Sequence, residues 1–144
     1  MSSKGLELLS MMRKANAIQI GEQNTGSAMR DGKAKLLVLA ADASDNARSR
    51  AEGFSRGRSA LTVPLPYTKE ELSEALGTGG CSMAALTDMG FSNALMQELC
   101  KDAPDIYGPT AEETQQRLQK ARRRKTEKEA HERGRRNGKR RTDI

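Results

Sequence analysis

The segment KLLVLAA at residues 35–41 restricts the fold of this chain more than any other feature. It has the length of a strand, and from Leu36 onward it is apolar at every position instead of at alternate positions. This pattern is typical of a strand at the centre of a sheet, where other elements cover both faces. The sequence therefore predicts a sheet that is buried between two layers.

Two helices and a short apolar stretch are predicted before this strand. An apolar cluster that begins at Leu6 predicts a first helix ending near Asn16, and the apolar stretch covers residues 17–20. Gly21 then interrupts the pattern. The segment from there to Arg30 predicts a second helix, closed by an Asp-Gly turn.

Helices and strands continue to alternate after the central strand. Ser44 is a candidate N-cap for a polar helix that reaches about Gly57, and residues 60–63 predict a second buried strand. Thr68 and Glu71 have the spacing of a capping box, which marks the start of another helix.

The last part of the core contains a glycine-rich loop at residues 77–80, a short strand at 83–87 and a helix at 92–99. Alternating helices and strands of these lengths favour the α/β class, with a sheet between two helical layers.

Charge is distributed unevenly along the chain. The formal net charge is +6, but residues 1–100 contain 11 basic and 11 acidic side chains, which cancel. After residue 100 there are 14 basic and 8 acidic side chains, and residues 117–141 alone contain 13 and 3. Such a basic block indicates a polyanionic partner, either a nucleic acid or an anionic membrane.

The basic segment is predicted to be separate from the core. Two prolines and a glycine within residues 102–109 indicate a linker, which we assign to 101–109, between a domain at 1–100 and a tail at 110–144.

Within the tail, Thr110 and Glu113 form a second capping-box pattern that would start a helix. Beyond its first turn, its apolar residues are Leu118, Ala121 and Ala130, which are too few to form a stripe that docks on the core. We therefore expect a helical or disordered tail that stands in solvent or becomes ordered on a partner.

Membrane insertion and catalysis are both disfavoured. No apolar run approaches the roughly 20 residues that span a bilayer, and no signal-peptide segment is present, so a soluble cytoplasmic protein is expected. Cys81 and Cys100 are too few and too far apart for a disulfide framework or a metal site, and His131 lies in the charged tail. Cys81 has no histidine partner in the core, and no lysine follows the glycine-rich loop at P-loop spacing. We predict a protein without catalytic activity, metal or cofactor.

Several motifs occur in the order of a known family: GE at 21–22, AMRDGKAKLLVLAADASDN at 28–46, VP at 63–64, LSEALG at 72–77 and LTDMGF at 86–91. Through them, residues 5–99 resemble the kink-turn RNA-binding ribosomal proteins of the L-seven-Ae and L-thirty-e type, most closely short bacterial YlxQ-like members. The resemblance implies a three-layer α/β/α sandwich with a mixed four-stranded sheet, which binds structured RNA. The basic tail lies outside it.

In this family, the start of the second helix and the loop before the last strand grip the RNA. The family pattern at the helix start is Gly, small, Asn, Glu, two variable residues and Lys, and here Gln23, Asn24 and Ser27 replace the Asn, Glu and Lys. The alternative for this segment is an ordinary helix start, and for the loop a plain tight turn. The resemblance implies these core contacts with RNA: Gly21, Glu22, Gln23, Asn24, Thr25, Ser27, Gly79, Gly80, Cys81, Ser82 and Met83.

The sequence thus favours a monomeric, ribosome-associated RNA-binding protein whose core recognises kinked or bulged RNA while the tail adds affinity for phosphates. The alternative is a protein-interaction module of the same fold, tethered to RNA or the ribosome by its tail, with ribosomal or translation proteins as partners. A membrane-surface protein is disfavoured because the basic helix lacks a hydrophobic face. The candidate phosphate contacts in the tail are Arg117, Lys120, Arg122, Arg123, Arg124, Lys125, Lys128, Arg133, Arg135, Arg136, Lys139, Arg140 and Arg141.

Overall fold

Four short strands form one mixed sheet in a computed structural model of the chain, which describes the backbone of residues 4–142 and the side chains of residues 4–134. The strand order is β1-β4-β2-β3, with β1 at Ile18–Ile20, β2 at Leu36–Leu39, β3 at Leu61–Pro64 and β4 at Met83–Leu86. β2 and β3 are parallel, whereas β4 is antiparallel to both of its neighbours. The prediction of a mixed four-stranded sheet is confirmed.

The two strands predicted to be buried differ in the structure. All four residues of β2 are buried, as expected for a central strand. β3 lies at the edge of the sheet, where only Val63 is fully buried and Thr62 and Pro64 are exposed. The prediction of a second buried strand is therefore wrong for β3. An edge position also suits Pro64, because proline has no N–H to donate to a second neighbouring strand.

Five helices accompany the sheet within the core: α1 (Lys4–Lys14), α2 (Glu22–Arg30), α3 (Asp45–Ser55), α4 (Lys69–Leu76) and α5 (Met89–Asp102). α1 packs with α4 and α5, and α2 packs with α3, which gives the two helical layers.

Side-chain caps fix the starts of three of these helices. The Ser44 hydroxyl accepts the Ala47 N–H at 3.1 Å, and Thr68 and Glu71 form the predicted capping box. Asp88 caps α5, so that helix begins three residues before the predicted start at residue 92. Because a capped N-terminus satisfies N–H groups that the helix itself cannot pair, these positions define where each helix begins.

The segment at 101–109, predicted as a linker, is helical except at Ala103. A sixth helix, α6 (Pro104–Thr142), begins there, so Thr110 lies inside the helix and does not start it. Pro104 occupies the first helical position, where its missing N–H removes no hydrogen bond. The same proline that suggested a linker is therefore a helix start.

The first half of α6 packs on the core, contrary to the prediction. Tyr107, Ala111, Thr114 and Leu118 are buried, at spacings of four, three and four residues that place them on one face of the helix. From residue 119 to residue 134 every position is exposed, so the expectation of a helix in solvent holds only for this part.

Two hydrogen bonds establish the direction of α6. The Tyr107 hydroxyl donates to the Pro64 carbonyl at 2.7 Å, and the Arg117 guanidinium donates to the Ser59 carbonyl at 2.6 Å. Pro64 ends β3 and Ser59 precedes it, so α6 runs antiparallel to β3. Within the described part of the chain, no helix is both long and apolar enough to cross a bilayer.

Candidate nucleic-acid interface

Three helices begin at one edge of the sheet. β1, β2 and β3 run in the same direction, so α2, α3 and α4, which follow them, start at the same edge, and the chain also enters β4 there. We call this the helix-start edge and define it as residues 20–24, 42–46, 67–71 and 79–83. Helix N-termini carry unpaired N–H groups and a partial positive charge, which suits an anionic ligand.

The two segments that the resemblance implicated are adjacent at this edge. The Gly21 N–H donates to the Met83 carbonyl at 3.0 Å, which joins the start of α2 to the start of β4. Gly21 has φ 93° and ψ 163°, a backbone conformation that residues other than glycine rarely adopt. The glycine therefore permits the turn that brings the two segments together.

The N-terminus of α2 differs from those of α3, α4 and α5 because none of the described side chains caps it. A Cβ placed on Gly21 would have no described atom within 4 Å, so the space in front of this helix start is open. Gln23 and Asn24 are exposed beside it, and the Asn24 amide donates to the Ile20 carbonyl at 3.0 Å.

A cleft of about 640 Å³ extends from α2 towards α3 and α4. Glu22 forms an ion pair across it with Arg50 of α3, and Lys69 of α4, Gly80 and Ser82 also line it. The cleft therefore carries both signs of charge around backbone that the glycine-rich loop exposes.

Three of the candidate contact residues are inaccessible. Thr25 and Met83 have 0% relative exposure and Cys81 has 2%, because all three face the core. Burial raises the pKa of the Cys81 thiol. The backbone N–H of Cys81 donates to the Ser73 hydroxyl at 3.0 Å. These residues hold the loop and the helix in place and present no side chain to a ligand.

The other core candidates are accessible to different extents. Gly79 and Gly80 are exposed, while Gly21, Glu22, Ser27 and Ser82 are half-buried. The Ser27 hydroxyl accepts a hydrogen bond from Arg30 at 3.2 Å, one turn further along α2. The accessible part of the predicted surface is thus centred on residues 21–24 and 79–82.

Among the tail candidates, Arg117 has a structural role. Its guanidinium pairs with Glu113 at 2.8 Å and donates to Ser59, which anchors α6 to the core. The exposed tail candidates on α6 are Lys120, Arg122, Arg123, Arg124, Lys125, Lys128 and Arg133. The side chains of the remaining ones, Arg135, Arg136, Lys139, Arg140 and Arg141, lie outside the described residues.

Sequence reasoning missed Arg50, Asn46 and Lys69, which line the cleft. Asn46 and Lys69 lie within two residues of the N-caps Ser44 and Thr68, so the predicted caps were a usable signal for both. Arg50 lies on the second turn of α3 and had no comparable signal.

No group of three or more His, Cys, Asp or Glu side chains in the described part of the chain could hold a metal ion. His131 is exposed on α6, where it lies apart from the cleft.

Residues 3–96 match the model of the Ribosomal protein L7Ae/L30e/S12e/Gadd45 family. Among solved structures, a protein with unknown function from Bacillus halodurans is 22% identical, with a TM-score of 0.60, and the match covers 65% of this chain and 94% of that one. The Giardia lamblia 15.5kD RNA binding protein is 20% identical, with a TM-score of 0.53 and coverages of 67% and 82%. No curated protein sequence matches significantly. The two structures support the fold, and the family match spans well over half of the sequence, so the chain belongs to the Ribosomal protein L7Ae/L30e/S12e/Gadd45 family.

Proposed function

We propose that this protein is a non-catalytic, monomeric RNA-binding protein of the cytoplasm that associates with the ribosome and recognises kinked or bulged RNA at its helix-start edge, while α6 adds affinity for phosphates. The observation that carries the proposal is the uncapped N-terminus of α2, joined to the loop before β4 by the hydrogen bond from Gly21 to Met83. A solved structure of the same fold is named an RNA binding protein.

The chemistry of this edge suits RNA that departs from a regular helix. The open space at Gly21 lets a phosphate reach the first N–H groups of α2. The Gln23 and Asn24 amides contain both donors and acceptors, so they can pair with base edges that a bulge exposes and a regular A-form groove hides.

The charge at the helix-start edge indicates that this edge and α6 have different roles in binding RNA. This edge contains one basic residue, Lys69, and five acidic residues: Glu22, Asp42, Asp45, Glu70 and Glu71. Acidic side chains repel phosphates, so this edge contributes selectivity, and the cations of α6 contribute most of the affinity.

The same acidic balance favours a second candidate function. A neutral core with an acidic edge also suits a protein partner, with α6 alone holding the molecule near RNA. The two functions differ in whether the helix-start edge distinguishes one RNA structure from another.

Replacing Gln23 and Asn24 by alanine is expected to remove the preference for bulged RNA without unfolding the protein. Both side chains are exposed, and substitutions of exposed polar residues usually change stability by under about 0.5 kcal/mol. A lost base contact costs about 1–3 kcal/mol of discrimination, a value known from duplex DNA, which is roughly 5- to 150-fold. The measurement is competition between a bulged RNA and a regular duplex of equal length at one salt concentration.

The matched control is Gln116→Ala with Gln119→Ala, which removes two exposed amides from α6. It should leave the ratio of the two affinities unchanged. If the wild-type protein has no preference, or if the Gln23 and Asn24 variant keeps it in full, the helix-start edge does not recognise RNA and the protein-interaction function replaces it.

A further inference from the structure

The edge of the sheet opposite the helix-start edge is strongly basic. We call it the distal edge and define it as residues 30–35 and 56–60, where α2 and α3 have ended and the chain returns to β2 and β3. Its only acidic residue is Asp31. Its five basic residues are all exposed: Arg30, Lys33, Lys35, Arg56 and Arg58.

Two of these cations have structural roles and three do not. Arg58 donates to the Met29 carbonyl at 2.9 Å, and Arg30 donates to the Ser27 hydroxyl. Lys33, Lys35 and Arg56 form no side-chain hydrogen bond or ion pair with another described residue. Hydrogen bonds within the protein therefore explain the presence of two of the five cations and leave the other three without a structural role.

α6 leaves the core at this same edge, where Arg117 bonds to Ser59 one residue before the last buried position of the helix that the structure describes. A groove of about 490 Å³ lies between α6 and the distal edge, lined by Lys35 on one side and by Lys120 and Arg124 on the other. A smaller space of about 240 Å³, lined by Arg30 and Arg58, shares Ser59 and Ala60 with it. We call the two together the distal groove.

The charge in the distal groove is not neutralised from within the protein. Glu113 also lines it, but this carboxylate is paired with Arg117. Lys35, Lys120 and Arg124 have no ion pair among the described residues. Cations that converge from separate elements repel one another, and a polyanion lying between them would remove that repulsion.

We propose that the cations of the distal edge, the distal groove beside them and the exposed part of α6 bind the phosphodiester backbone of an RNA helix, and that they do so independently of the helix-start edge. The exposed cations of α6 continue from the groove to at least Arg133, about 25 Å of helix beyond Arg117 at 1.5 Å per residue. RNA is the occupant that fits, because its backbone carries negative charge continuously over such a length.

The position of this surface implies that one molecule binds two RNA segments. β3 separates the two edges by its own length of four residues, about 13 Å at 3.3 Å per residue. α6 runs antiparallel to β3 and continues past the distal edge, away from Gly21. RNA bound along α6 therefore leaves the helix-start edge open to a second segment.

The test replaces Lys33 and Lys35 by glutamine in the full-length protein and measures affinity for an RNA duplex without bulges over a range of salt concentrations. The control is Lys4→Gln with Lys101→Gln, which removes the same charge from two exposed residues. These lie at the start of α1 and near the end of α5, the ends of those helices remote from the distal edge. Each lost phosphate contact takes roughly 0.7–0.9 from the log–log slope of affinity against salt.

We expect the Lys33 and Lys35 variant to lower the slope by about one to two units and the affinity several-fold, while the control pair keeps the wild-type slope. Equal slopes for the two variants would show that only net charge matters and would overturn the proposal. So would stronger competition by a DNA duplex of the same sequence, because the surface would then belong to DNA.

A second measurement separates this inference from the proposed function. The Gln23 and Asn24 variant should keep the wild-type affinity and salt slope for duplex RNA, because its substitutions remove no cation. If that variant also keeps the preference for bulged RNA, the proposed function fails and the distal surface stands. If the variant loses affinity for duplex RNA or binds it with a lower slope, the two surfaces are not independent and the inference fails.

Discussion

Removing residues 119–144 is expected to lower RNA affinity by about two orders of magnitude or more at low salt, while the rest of the protein stays folded. The deletion removes 12 basic and 4 acidic side chains. A protein that contacts six to ten phosphates loses about 10³–10⁵ in affinity when the salt concentration rises from about 50 to about 200 mM, which shows how much of the affinity such contacts supply. The loss should therefore be large, and the salt slope should flatten. Leu118 is the last buried residue in the part of α6 whose side chains are described, and every position from 119 to 134 is exposed.

The matched control raises the charge of the same segment. Replacing Glu127, Glu129 and Glu132 by glutamine keeps the helix and removes three negative charges from its exposed part. Affinity for duplex RNA should rise, and the melting temperature should stay near that of the wild type. A truncated protein that binds RNA with the full-length slope would contradict the role given to α6.

The position of the truncation determines whether the packing of α6 on the core is preserved. A deletion from residue 110 onward would also remove Ala111, Thr114 and Leu118, which pack on the core. The division at residues 100 and 110 that the sequence suggested therefore differs from the packing, in which the docked face of α6 ends at Leu118.

The docked face of α6 was hidden from sequence reasoning by its polar members. Thr114 is buried, and its single O–H has two acceptors within reach, the Ala111 carbonyl at 3.0 Å and the Asn93 amide oxygen at 3.2 Å. Asn93 in turn donates to Gln115 at 2.9 Å. A search for apolar periodicity omits such a network, because its side chains can be buried only when partners from another helix satisfy them. Those partners lie on α5, about 20 residues away in sequence.

Predictions from the local sequence were correct where the physical cause of the structure is also local. The caps at Ser44 and Thr68 depend on side chains within three residues, and both are confirmed. β2 is buried at every position, as its unbroken run of apolar residues predicted. β3 is exposed at Thr62 and Pro64 because it is the last strand of the sheet, and the proline was a local signal of an edge position that the prediction of a buried strand did not use.

Prediction from the sequence has the same limit at the candidate site, where local pattern does not reveal which side chains are exposed. Its two segments are adjacent, but side-chain direction separates the accessible residues from the inaccessible ones. Thr25, Ala28 and Met29 are buried at the spacing of one helical face, which turns Gln23 and Asn24 outward. Met83 opens β4, where it lies opposite Leu39 in the middle of the sheet and is buried for that reason.

Replacing Tyr107 by alanine is expected to lower the free energy of unfolding by about 3–5 kcal/mol, the usual cost of removing a large aromatic side chain from a core. Tyr107 is 4% exposed and lies at the start of the docked face of α6, where its hydroxyl donates to the Pro64 carbonyl. Tyr107→Phe keeps the ring and removes only this hydrogen bond, so about 1 kcal/mol is expected. The measurement is urea denaturation of the full-length protein.

Ile106 supplies the matched control, since it precedes Tyr107 on the same turn but is 63% exposed. Ile106→Ala should change the free energy of unfolding by under about 0.5 kcal/mol, because it removes little buried surface and alanine favours the helix. A difference between the two alanine variants would show that α6 is part of the folded unit and explain why Arg117 and the basic groove beside it have fixed positions. If Tyr107→Ala unfolds no more easily than Ile106→Ala, α6 is not anchored to β3. The cations of the distal groove would then have no fixed arrangement, and a slope change in the Lys33 and Lys35 variant could not be attributed to a groove that α6 completes.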